Sequence, residues 1–156
     1  MQPYDLRLIW YTRAMHQFPN THGDLLVVNR GEEVMSKLME YVRERNLKSA
    51  WVSGLGGASD TTLGFYNINT KEYEWTDYPE PMEIVNLTGN LSWVEGEPFW
   101  HVHGTFSGRD LQAVGGHVNK LVVGLTCELL VTQLETPLTR TFDDETGLKL
   151  LSSQKD

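Results

Sequence analysis

Three histidines within one short stretch are the side chains best suited to chemistry. His101 and His103 flank Val102, and His117 follows the glycine pair Gly115-Gly116. In a strand, side chains two apart project from the same face, about 6.5 Å apart along the chain. The imidazoles of His101 and His103 then aim at one point. A turn around Ser107-Gly108-Arg109-Asp110 would bring His117 back beside them. Three neutral imidazoles around an open fourth position form the donor set of a zinc-type centre. Zinc or another divalent transition metal is the preferred expectation, since imidazole suits zinc, copper, iron and nickel alike; a pair of hydrogen-bonded structural histidines in a sheet is the lesser alternative.

The elements that must position these residues are mostly strands. On the histidine strand, Phe99, His101, His103 and Thr105 share one face, while Trp100, Val102, Gly104 and Phe106 share the other, more apolar one. The histidines are thus not filling the better core face. Strands are also predicted at 25–29, 50–54, 63–68, 72–76, 83–93, 99–106 and 121–134, with an edge strand at 6–12. Asn69-Thr70-Lys71 reads as a hairpin turn. One helix is predicted over 31–46, where Val34, Met35, Leu38, Met39 and Val42 repeat on one face. Glu32 and Glu33 suit its positive end, and Arg43 and Arg45 its negative end. Glu33 and Lys37 form a favourable i,i+4 pair, and Asn46 ends the helix. One helix among many strands implies an α+β domain with a mostly antiparallel sheet.

Other residues carry weaker signals. Glu83 and Glu128 are the acidic residues inside otherwise apolar strands, and each is a candidate catalytic base beside a metal-bound water or a partner that orients a histidine. Either also reads as an ordinary solvent-facing carboxylate. Cys127 reads as buried and inert, with fourth-ligand duty as the lesser alternative. His16 and His22 lie in a Pro/Asn/Thr/Gly-rich segment that gives them no role. Gly115-Gly116 would let His117 reach inward from a tight bend, or simply forms a turn. The glycine-rich run Ser53 to Ser59 is followed by a predicted strand rather than a helix, which excludes a dinucleotide loop and leaves a bulged turn.

Composition narrows the class. At 156 residues, with 40% hydrophobic and 22% charged residues, the chain fits one globular domain. A net charge of -8 disfavours non-specific contact with nucleic acid or anionic membranes. A single cysteine permits no disulfide within the chain and fits a reducing compartment. No apolar run reaches the roughly 18 residues of a membrane span, and the N-terminus lacks the pattern of a signal peptide. The expected location is the cytoplasm.

The ordered set Val52-Ser53-Gly54-Leu55-Gly56-Gly57, Leu63-Gly64-Phe65-Tyr66, Glu83 through Asn90, His101-Val102-His103, Val114 through Val118, Cys127-Glu128-Leu129-Leu130 and Arg140 through Leu148 resembles the plant and prokaryote conserved (PPC) domain. The resemblance covers residues 25–150. Residues 1–24, which include Trp10-Tyr11-Thr12-Arg13, are expected to form an extension packed on the domain, and residues 151–156 a tail. It implies a sheet of about seven strands with a flanking helix, a homotrimer, and metal held by His101, His103 and His117. In plants the domain accompanies AT-hooks that bind DNA, and stand-alone bacterial members carry DNA-binding labels. An AT-hook needs Arg-Gly-Arg-Pro, whereas Arg30-Gly31 here is followed by Glu32.

Three functions compete. The first is a metal-binding trimeric module with a regulatory or small-ligand role. The second is a metal-dependent hydrolase, with Glu83 or Glu128 as base. The third is a DNA-binding regulator, which the resemblance favours and the acidic charge opposes. The first is preferred.

Overall fold

The computed structural model describes residues 15–20 and 23–152. Nine strands and one helix follow in order: β1 (His16–Asn20), β2 (Gly23–Asn29), α1 (Val34–Arg45), β3 (Ala50–Asn67), β4 (Glu72–Tyr78), β5 (Met82–Val94), β6 (Glu97–Ser107), β7 (Ala113–Gln133), β8 (Thr139–Phe142) and β9 (Lys149–Ser152). The sheet is antiparallel except for a parallel contact of β8 with β5 at Thr139 and Trp93. This is the α+β class expected, with nine strands instead of about seven. The unforeseen strands have physical reasons. Strand β1 carries Pro19, a residue that argues against a strand. Strands β8 and β9 are four residues each, too short to show a period. The predicted strand at 6–12 and His22 lie outside the described residues. His16 is exposed on β1, and part of the expected extension, from Gly23, opens β2.

Two long strands organise the rest. Strand β3 pairs with β5 through its first half and with β4 through its second, while β7 runs along most of its length. Strand β6 bridges β5 and β7, so the pairings close a ring of β3, β5, β6 and β7. The glycine-rich run predicted as a turn lies within β3, as a bulge between Gly54 and Gly56. A turn was expected because glycine punctuates strands; here it permits a bend without ending the pairing. The core takes the more apolar face predicted for β6: Trp100, Val102 and Phe106 are buried, against Ile84, Leu87 and Leu91 of β5, where a register shift between Ile84 and Asn86 turns Val85 outward.

Helix α1 buries Val34, Leu38, Tyr41 and Val42 against the sheet. Glu33 stands just before the helix as its cap: its carboxylate accepts from the Met35 and Ser36 amides at 3.0 and 2.7 Å, and from Leu121 N of β7 at 3.2 Å. Capping takes Glu33 away from the pair predicted with Lys37, which instead contacts Glu40 and Glu32 at 2.7 and 3.4 Å. Asn46 ends the helix in the left-handed region at φ 50°. None of the helices among the described residues is long and apolar enough to cross a membrane.

Candidate metal centre

The three histidines come together at the β5–β6–β7 junction. His101 and His103 project from one face of β6, and His117 of β7 stands directly opposite His103 in the register. The tight bend expected at Gly115-Gly116 is absent. Both glycines are in the middle of an antiparallel pair, opposite Thr105 and Gly104, and neither has positive φ. The turn lies earlier, beyond Ser107, where the Leu111 amide donates to Gly108 O at 2.9 Å. A plain hairpin register is sufficient to place His117, because cross-strand neighbours on one face lie about 5 Å apart.

The glycines serve close approach. A Cβ on Gly116 would fall 2.8 Å from Gly64 O, and one on Gly115 2.8 Å from Gly104 O. Gly64 pairs with His117 on one side and Trp75 on the other. With no side chain on Gly64, the Trp75 ring closes to 6.1 Å from the His117 ring, and Tyr73 to 5.0 Å, with Tyr73 and Trp75 stacked at 4.8 Å.

One ligating atom from each histidine lies within 4.8 Å of the others. Nε2 of His101 and Nε2 of His103 are 3.1 Å apart. The ring centroids are 4.9 to 5.5 Å apart. Nδ1 of His117 is buried without a hydrogen-bond partner among the described residues, which is costly for a polar atom unless something coordinates or satisfies it. Burial, then the charge of Arg140, pushes His101 down to about 4. Burial, then His103, pushes His117 down to about 4, and burial also lowers His103. All three imidazoles are therefore neutral at pH 7, the form that binds a metal cation. His103 is exposed and the other two half-buried, so the cluster is reachable from solvent. The donor set, its convergence and its neutrality all fit a divalent transition metal.

The candidate carboxylates lie elsewhere. Glu83 is exposed opposite Ser107, four residues from His103 along β6 or about 13 Å at the rise of a strand. It lines a separate cavity of about 510 Å³ with Arg30 and Arg109. Glu128 is exposed toward the other end of β7, opposite Val27 and Leu55. Cys127 is fully buried, and burial pushes its thiol up to about 12; it is not in the histidine cluster.

The residue that sequence reasoning did not place at the site is Arg140 of β8. Its Nε donates to Ser92 Oγ at 2.8 Å, Nη1 to Lys149 O at 3.0 Å, and Nη2 to Asn90 Oδ1 at 3.0 Å and to His101 Nδ1 at 3.2 Å. Its guanidinium lies 5.5 Å over the Phe99 ring. The resemblance includes Arg140 but gives it no role, because only the parallel contact of a four-residue strand brings it beside β5 and β6.

The sequence matches the family model of the Plants and Prokaryotes Conserved (PCC) domain over residues 17–135. A comparison with curated proteins finds no match. Among solved structures, a Ralstonia eutropha protein described as a candidate DNA-binding protein is 33% identical, with TM-score 0.82 over 88% of this chain and 95% of that one. A Bacteroides thetaiotaomicron protein, described in the same way, is 26% identical, with TM-score 0.87 over 90% and 99%. An Archaeoglobus fulgidus protein described as metal-containing is 27% identical, with TM-score 0.78 over 91% and 100%.

Proposed function

The chain belongs to the Plants and Prokaryotes Conserved domain family, and from that premise we propose that it is a metal-binding module that holds zinc, or another divalent transition metal, through His101, His103 and His117. The observation that carries this reading is the convergence of three neutral imidazole ligand atoms within 4.8 Å. Three histidines leave a coordination position for a small ligand. The A. fulgidus relative, described as metal-containing, supports the same assignment. When bound, the metal would supply Lewis acidity at that open position. The absence of Glu83 and Glu128 from the cluster favours a regulatory or ligand-binding role over hydrolysis that uses either as base.

The module is proposed to work as a homotrimer. Cross-strand partners share a face, so Leu25, Leu130, Trp51 and Leu55 form one outer apolar band over β2, β7 and β3. Trp51 is 47% and Leu55 56% exposed. Through Trp51–Asn90 and Ser53–Thr88 the same face continues to His101 and His103. An exposed apolar patch of this kind is typical of a subunit interface. DNA binding, suggested by the descriptions of two relatives, finds little support in a chain of net charge -8.

The test is elemental analysis of untagged protein alongside His103→Ala. The expected result is about one equivalent of transition metal per chain, lost in the variant. No metal in the parent protein, even after reconstitution with zinc, would refute the reading. Sedimentation should give a mass near three times 17.8 kDa; a single-chain mass would refute the trimer.

A further inference from the structure

A cavity of about 470 Å³ opens directly beside His101 and His117, lined among others by Arg140, Trp75, Phe99, Val94 and Leu148. Its volume is in the range of small-molecule sites, and its lining has their usual make-up: mostly apolar and aromatic, with few polar groups. Among those few, Arg140 stands out. It is half-buried. Among the described residues it forms no ion pair with an aspartate or glutamate. All four of its hydrogen-bond partners are neutral. Of its five N–H groups, one on Nη1 has no acceptor among the described residues. Removing a guanidinium from water without a counter-charge is costly. In a chain rich in carboxylates, this cation has none paired with it among the described residues.

Metal binding sharpens the need for an anion. Arginine can only donate, so Nδ1 of His101 accepts from it in the present arrangement. An imidazole that binds metal through Nε2 carries its proton on Nδ1. That N–H would then face the Arg140 N–H, donor against donor. An acceptor that engages the guanidinium relieves the conflict, and an anionic one also offsets the added cationic charge.

We propose that this cavity binds a small organic carboxylate, its carboxyl group on Arg140 and its apolar remainder against Trp75, Phe99, Val94 and Leu148. A single negative charge matches the site better than a phosphate. Lys149, the other cation on the cavity wall, is already paired with Glu95 at 3.0 Å. The carboxylate site deepens the metal-module reading and rests on it for the donor conflict at His101, but the unpaired arginine and the cavity stand without metal.

Calorimetric titration of the metal-analysed protein with 3-phenylpropionate, its neutral amide and inorganic phosphate tests the assignment. The acid is expected to bind about tenfold or more tightly than the amide, as a charge-assisted hydrogen bond requires, and phosphate more weakly than the acid. Arg140→Gln should remove that preference while retaining its metal. Leu148→Trp, which fills the cavity and leaves Arg140 and the histidines intact, should abolish binding of acid and amide alike. If Arg140→Gln does not fold, the amide comparison and Leu148→Trp decide. Equal binding of acid and amide, stronger binding of phosphate, or no binding to folded, metal-loaded protein would overturn the proposal. Acid binding to a protein that takes up no metal would uphold the carboxylate site and sink the metal reading instead.

Discussion

Replacing Gly116 with alanine puts a methyl group where β7 meets β3. The Cβ would fall 2.8 Å from the backbone oxygen of Gly64, against about 3.4 Å for an ordinary contact. The shortfall is about 0.6 Å. A side chain could rotate away, but a backbone oxygen in a paired strand cannot. The strands must therefore separate beside His117, which pairs with Gly64. Overpacking of this kind costs roughly 1–3 kcal/mol, and in a chain of this size each kcal/mol lowers Tm by about 2–4 °C. A shift of 0.6 Å also exceeds the roughly 0.5 Å tolerance of a preorganised site, so zinc affinity should fall by about 10- to 100-fold, as when a supporting shell is lost. Gly64→Ala is the control, since its Cβ meets the rings of Trp75 and Tyr73 and not backbone. Trp75 is 46% exposed and can swing outward, so that variant should lose less stability and keep its metal. Urea denaturation of metal-free protein and competitive zinc titration read the two effects. Unchanged stability and affinity in Gly116→Ala, or a larger loss in Gly64→Ala, would refute the close-approach argument.

Three other outcomes follow from the fold. Phe106→Ala removes one of the largest fully buried side chains and should cost about 3–5 kcal/mol in denaturant titration; a loss under about 1 kcal/mol would mean that the ring of β3, β5, β6 and β7 is not packed as described. Glu33→Ala removes the cap of α1 and its bond to Leu121, for a loss of about 1 kcal/mol by the same assay, whereas Glu40→Ala on the exposed helix surface should fall within about 0.5 kcal/mol. Cys127, with its thiol pushed from 9.0 up to about 12 by burial, should resist iodoacetamide at pH 8.5 in native protein and react in urea. Because the folded pKa is the higher one, its contribution is intact below pH 9 and is lost as pH rises toward 12. Cys127→Ala should thus flatten that alkaline decline, and an equally steep decline would contradict it.

Much of the site was legible because β-structure is periodic. Alternation put His101 and His103 on one face and Val102 and Phe106 on the other, and the Ser107–Asp110 turn implied the hairpin that brings His117 opposite His103. The local role of glycine was misread for the same reason that glycine is informative. It marks either a turn or a close approach, and only the neighbouring strand tells which; at Gly116 that neighbour is Gly64, far away in sequence. Glu33 was placed in the first turn when it is the cap, a one-residue difference that periodicity cannot resolve. Arg140 was invisible as a site residue. Its position depends on the contact of Thr139 with Trp93 and on hydrogen bonds to Ser92 and Asn90 of β5, about 50 residues away in sequence, which no local pattern reveals.

X-ray absorption at the edge of the bound metal, recorded on purified protein and on His103→Ala, tests the central claim most directly. The account predicts a first shell with three imidazole nitrogens at about 2.0–2.1 Å if the metal is zinc, and a reduced imidazole count or no metal in the variant. A shell of oxygen or sulfur without imidazole, or a signal unaffected by the loss of His103, would contradict it.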